Sequence, residues 1–171
     1  MIVIWYRIYC KKQKEEKLLD TCRQHMSKKI LKEAFVFTYD RMRRFQGEWH
    51  LERQLMFPDY VFLESGDETA LEEELMRYRK VSELFRECEN VSYVEKNEEK
   101  FLVSLCGKKH HLGMSRGVIR DGITRITEGP LLGMEERIRK VDRHKRLARL
   151  EIPGSRMQES ILAGLEIIDK R

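Results

Sequence analysis

Seven cations crowd the stretch from Arg137 to Arg149: Arg137, Arg139, Lys140, Arg143, Lys145, Arg146 and Arg149, against one acid, Asp142. Side chains of this kind neutralise phosphates and release counterions, which gives affinity for a polyanion with little sequence information. His144, inside the run, would add charge when protonated. The cluster closes a longer stretch, Arg125 to Leu150, that begins as a short alternating strand and turns through Gly129-Pro130. Proline sets φ in such a turn and glycine relieves crowding, and Gly133 permits a positive φ as the next strand begins. A turn framed by strands with cations beside it suits a small β-barrel that grips a polyanion. The plainer alternative is a solvated, charged hairpin.

Other chemistry is poorly supported. Cys10, Cys22, Cys88 and Cys106 form no C-x-x-C pair, and the five histidines are scattered, so no metal-ligand spacing exists. The sequence also lacks a phosphate-cradling glycine loop, H-E-x-x-H and G-x-S-x-G. No enzyme, cofactor or metal site is expected. The apolar start, MIVIWYRIYC, is too short for a signal segment, and no run approaches the ~20 apolar residues of a membrane span. Reduced, buried thiols in a soluble cytoplasmic protein follow.

Charge divides the chain. Residues 1 to 107 carry 19 Lys and Arg against 20 Asp and Glu, a net of −1. Residues 108 to 171 carry 15 against 9, a net of +6, so the basic character belongs to the C-terminal third. That asymmetry favours nucleic acid over a membrane surface as partner.

The elements that must position these groups follow from periodicity. Ile2 to Tyr9 reads as a central strand, and Lys11 to Lys29 as an amphipathic helix with Leu18, Leu19, Cys22 and Met26 on one face. A second strand is expected around Ala34 to Phe37. Arg41 to Gln54 follows as a basic hairpin, carrying Arg41, Arg43 and Arg44, with its tip at Gln46-Gly47-Glu48 and Trp49 and Leu51 alternating after it. Leu55 to Glu64 is a strand with Pro58 at its beginning, where a missing amide donor is tolerated. Thr69 and Glu72 can form a capping box for the next helix, with Leu71, Leu75 and Tyr78 as its apolar stripe. Val91 to Val94 and Glu98 to Leu105 add a strand and a short helix. The fold class expected is α+β, with helices on a mainly antiparallel sheet.

Gly107 to Gly113 is polar and aperiodic and is read as linker. Strands are expected after it at Gly122 to Thr127, Arg137 to Val141 and Leu147 to Ile152, with a closing pair within Met157 to Ile168. The inner face of Leu147 to Ile152 is not assigned by alternation. A closed barrel would spare so small a unit bare strand edges.

WYRIYCKK, MFPDYVFLE and ITRITEGPLLGMEERIRKVDRHKR, in this order and spacing, resemble the NusG family of transcription elongation factors. SRGVIRDG and RKVDRHKR are most similar to its LoaP branch of long-operon-associated antiterminators. The resemblance implies a NusG N-terminal (NGN) α/β sandwich over 1–107, a linker over 108–116, and an SH3-like β-barrel (KOW domain) over 117–171. It also implies that the N-terminal domain binds RNA polymerase, with the clamp helices of the largest subunit received on an apolar patch. By motif match that patch holds Tyr9, Phe57, Pro58, Tyr60 and Phe62. Alternation puts Tyr60 and Phe62 on one sheet face and Val61 and Leu63 on the other. The Tyr60/Phe62 face is therefore either polymerase-binding surface or core.

Nascent, structured leader RNA is the partner expected for the KOW cations and His144, with upstream or non-template DNA near the hairpin. The protein is expected to be a monomer, and its KOW region to form strands rather than a helical hairpin. Two departures stand out. Leu131 replaces the aromatic that usually follows Gly-Pro and contacts ribosomal or termination partners. Glu136 stands where glycine is usual, which implies an altered bulge. The leading expectation is operon-selective antitermination. The alternatives are a general elongation factor, and a KOW RNA-binding protein that does not touch polymerase.

Overall fold

The computed structural model describes residues 2–154 and 160–171. In chain order the elements are β1 (Ile4–Tyr9), α1 (Glu15–His25), β2 (Glu33–Phe35), β3 (Thr38–Phe45), β4 (Glu48–Leu55) and β5 (Tyr60–Ser65). Next come α2 (Glu68–Val81), α3 (Glu83–Arg86), β6 (Ser92–Tyr93), α4 (Lys96–Cys106) and β7 (His111–Leu112). The last are β8 (Ser115–Arg120), β9 (Ile123–Glu128), a 3-10 turn (Glu135–Arg137), β10 (Ile138–Asp142), β11 (Leu147–Glu151) and β12 (Ser160–Lys170). They fall into two compact units, Met1–Val36 with Phe57–Glu95, and Phe37–Met56 with Lys96–Arg171.

In the first unit the sheet runs β2-β5-β1-β6, and each neighbouring pair is antiparallel. Helix α1 is shorter than its periodicity suggests, because Lys12 and Gln13 take left-handed φ (73° and 55°) and delay its start. The cap of α2 also differs from the expected Thr69/Glu72 box. Asp67 is the N-cap, its Oδ1 accepting the Ala70 N–H at 3.0 Å. Its carboxylate satisfies the same orphan donor as a hydroxyl would, and places negative charge at the positive end of the dipole.

Tyr6 and Ile8 of β1, Val61 and Leu63 of β5, Leu18 and Cys22 of α1, and Leu71 of α2 share one core. The opposite face of the sheet is buried too. Trp5 meets Phe35 edge-on at 5.1 Å, Phe35 stacks on Phe62 at 5.8 Å, and Phe57 lies 5.5 Å from Phe62.

Burial also governs the thiols. Cys22 and Cys106 are pushed up to about 12 by desolvation, and burial followed by a hydrogen bond with Cys10 raises Cys88. Between roughly pH 9 and 12 the unfolded chain releases thiol protons that the folded chain retains, so stability falls as pH rises through that window. Burial raises the Tyr6 phenol as well, with the same sign. The denaturant midpoint is therefore expected to drop above about pH 9, and a thiol reagent at pH 8 to label the cysteines only in denaturant. Rapid labelling of the native protein would contradict this.

In the second unit β3 and β4 form a hairpin in full register from Thr38↔Leu55 to Phe45↔Glu48. Its two-residue turn, Gln46-Gly47, has φ of 50° and 80°, the primed geometry whose twist matches the strands. β7 pairs parallel with β3. His111 pins the two together, Nδ1 lying 2.7 Å from Thr38 Oγ1 and Nε2 3.0 Å from Asp40 Oδ1. Residues 108–116 thus carry β7 and the first two residues of β8.

The C-terminal strands order as β10-β11-β12-β8-β9. Pairing is antiparallel except between β12 and β8, which run parallel. Among the described residues no sheet closes, which departs from the closed barrel expected. β9 and β10 remain edges, and the chain between them is occupied by the Gly129-Pro130 turn and the 3-10 turn instead of a ladder. β12 is one long strand where a closing pair was expected, and residues 157–159 of that stretch lie outside the described residues. Ala148 and Leu150 of β11 are buried, as is Ile152 just beyond it, and Arg149 is exposed, so the inner face alternates from Ala148 onward, while Leu147 at the strand's start is buried as well. The Glu136 departure coincides with the 3-10 turn and a register shift between Ile138 and Lys140.

Candidate functional site

In the first unit, β1 and β5 bring Tyr9 opposite Tyr60, with ring centroids 4.9 Å apart. The turn before β5 is held against the end of β1. The Asp59 carbonyl accepts the Cys10 N–H at 2.8 Å, and the Asp59 N–H donates to Glu15 Oε1 at 2.6 Å. Pro58 is exposed in that turn and precedes β5, which starts at Tyr60, whereas a strand from Leu55 with Pro58 at its beginning was expected. Tyr9 and Tyr60 are half-buried. Burial is the largest cause raising the Tyr60 phenol, opposed by Arg7, so it remains a neutral hydrogen-bond donor.

Phe57 and Phe62 do not share that surface. They are 2% and 0% exposed and pack on each other, with Phe62 also stacked on Phe35, so they belong to the core. Alternation separated the two faces of β5 correctly, but it carries no information on whether the second face is covered.

In the second unit the cations gather around the β10–β11 turn. Asp142 Oδ1 accepts the Lys145 N–H at 3.0 Å, and Arg146 closes the turn at φ 53°. Three of the seven have partners. Arg139 pairs with Glu151 and donates to the Glu136 carbonyl at 3.0 Å. Arg149 donates to Ser160 Oγ at 3.0 Å. Arg146 lies 3.6 Å from Glu166 Oε1, with its guanidinium 4.0 Å above the Trp49 ring. Arg137, Lys140, Arg143 and Lys145 make no ion pair among the described residues, and Lys140, Arg143, His144 and Lys145 are exposed. Isolated surface pairs contribute little stability, so the exposed Arg139–Glu151 pair can also exchange for another anion at small cost.

Trp49 and Glu166 were not singled out by the sequence. Trp49 read as an ordinary alternating strand residue, and nothing local links it to Arg146, almost a hundred positions later. The hairpin cations divide: Arg43 pairs with Glu52 at 2.9 Å, whereas Arg44 is exposed without an ion pair among the described residues.

The Gly-Pro turn is as the sequence suggests, the Leu132 N–H donating to the Gly129 carbonyl at 3.1 Å. Leu131 is 0% exposed and its N–H is held by Ser115 Oγ at 3.0 Å. The position therefore offers no side chain to a partner.

A mixed helix-and-sheet unit, with a basic hairpin and a basic strand module in the same chain, defines a factor whose exposed chemistry is aromatic at one site and cationic at another. The family model described as transcription termination factor NusG matches residues 4–102. The chain belongs to the NusG family, and membership places it among transcription elongation and termination factors that interact with RNA polymerase. No curated protein matches the chain. Among the described residues no helix is long and apolar enough to cross a membrane.

Proposed function

We propose that this protein is a specialised NusG-type antitermination factor of the LoaP kind, acting in the cytoplasm as a monomer. Residues 1–107 act as the NGN domain and hold RNA polymerase through Tyr9, Pro58 and Tyr60. Residues 117–171 act as a KOW module, an SH3-like barrel left open between β9 and β10, and bind nascent structured RNA. Residues 108–116 connect them. No bond is made or broken, and no cofactor is used. Recruitment by leader RNA makes processive transcription operon-selective.

The observation that carries this reading is the set of exposed, unpaired cations around the β10–β11 turn. The burial of Leu131 also speaks for it over a ribosome-coupling factor, because the usual partner-facing aromatic is replaced by a core residue.

The test is equilibrium binding of the full chain to structured 5′-leader RNA across a salt series. With about four phosphates neutralised, affinity should fall as roughly the third power of salt, at ~0.7 to 0.9 for each. Reversing Lys140, Arg143 and Lys145 to Glu should abolish binding. A salt slope near zero would remove RNA from this reading. Co-purification of polymerase with the wild type, lost with Tyr60→Ala, tests the other half; retention by the variant would count against the Tyr9/Tyr60 patch.

A further inference from the structure

The hairpin and the cation cluster belong to one compact unit, and β3 packs on β12. The approach is close. A Cβ on Gly164 would stand 2.5 Å from the Asp40 carbonyl oxygen and would run into the Met114 sulfur, so only glycine allows this contact.

Two clefts result. One, of about 380 Å³, is lined by Arg44 and Trp49 of the hairpin and by Arg143, His144, Arg146 and Glu166. The other, of about 240 Å³, is lined by Arg41 of the hairpin and by Lys140, Asp142, Lys145 and Arg149. The β10–β11 turn lies between them and sends side chains to both, Arg143 and Arg146 to the first and Lys145 to the second. Each cleft therefore sets a hairpin arginine beside cluster cations.

The acids in these clefts are already engaged. Glu166 faces Arg146 at 3.6 Å and Arg116 at 3.5 Å, and Asp142 Oδ1 accepts the Lys145 N–H. The Arg41 Nε is buried with no hydrogen-bond partner among the described residues. An orphaned, buried cationic donor is costly, and a phosphate oxygen would satisfy it.

We infer that Arg41 and Arg44 of the hairpin complete the RNA site, so that one phosphodiester backbone is held between the hairpin and the β10–β11 turn. This rests on the RNA-binding reading above and extends it. The segment contributed by the polymerase-binding half of the sequence grips the same strand as the C-terminal cluster, and the cation–π contact of Arg146 on Trp49 fixes the geometry between them.

The experiment measures binding of the full chain to a labelled RNA stem-loop, and to DNA of the same sequence, across a salt series. Arg41→Gln with Arg44→Glu should weaken RNA binding at least tenfold, and the salt slope should fall by about 1.5, because two arginines no longer neutralise phosphate. Gly164→Val keeps every cation but forces the hairpin away from β12, and should weaken binding comparably while circular dichroism stays native. If Gly164→Val fails to fold, the exposed Arg44→Glu substitution alone still tests the idea, with a several-fold loss expected. Hairpin variants that bind within twofold of wild type, beside a cluster variant that does not bind, would overturn the composite site and leave the RNA reading standing. A wild type that binds no RNA would sink both. Tenfold tighter binding of the DNA would overturn the assignment to RNA.

Discussion

Phe62→Ala should destabilise the protein by about 3–5 kcal/mol and cost it polymerase binding through loss of fold. Phe62 is 0% exposed and is in ring contact with Phe35 and Phe57, while Phe35 meets Trp5. Truncation removes the transfer free energy of a phenyl ring and leaves a cavity among rings that are themselves held by sheet pairing on β1, β2 and β5. Tyr60→Ala, two residues away on the same face, should behave differently. Its ring is half-buried, so stability should fall by only about 1 kcal/mol. Urea denaturation of both variants, paired with polymerase co-purification, separates structural support from contact. Equal midpoints for the two would mean that the aromatic layer is not the core described.

Gly129→Val should be comparably severe for the C-terminal sheet. Gly129 takes φ +102°, a conformation that L side chains rarely adopt. A Cβ there would also stand 2.6 Å from the Ser115 Cα and 2.7 Å from the Met114 carbonyl. Those are backbone atoms at the start of β8, and Ser115 also holds Leu131 in place through its hydroxyl. Relief would require β8 to shift against β9 and β12, its neighbours in the sheet. Strain of about 1–2 kcal/mol in φ plus the displaced ladder gives an expected loss of roughly 3 kcal/mol or more. Amide exchange should show weakened protection across β8, β9 and β12, and RNA binding should disappear alongside. Unchanged protection in those strands would refute the account of this turn.

Sheet periodicity, helix stripes and turn chemistry were open to reading because each depends on near neighbours. The alternation Val61, Leu63 against Tyr60, Phe62 is set by the pleat, the Gln46-Gly47 and Gly129-Pro130 turns by φ preferences, and the density of cations by composition. Where local cues competed, the reading slipped. The Thr69/Glu72 box yielded to Asp67, an equally good capping residue two positions earlier. The bounds of α1 yielded to a left-handed turn that apolar spacing does not encode.

By itself, then, the sequence determined the mixed helix-and-sheet class, the two N-terminal motifs that fall within the NusG family match, and the density of cations near the C-terminus. Tertiary structure alone decided which aromatics are surface and which are core, since Phe62 stacks on Phe35 of β2, which in turn meets Trp5 of β1. It also decided that β12 runs parallel to β8 and leaves the sheet open, and that Arg146 stacks on Trp49 and Gly164 admits the backbone of β3. The reason is range. Periodicity reports how a residue relates to neighbours within a turn or a pleat, whereas these contacts join segments tens of residues apart, and only the folded chain brings them together.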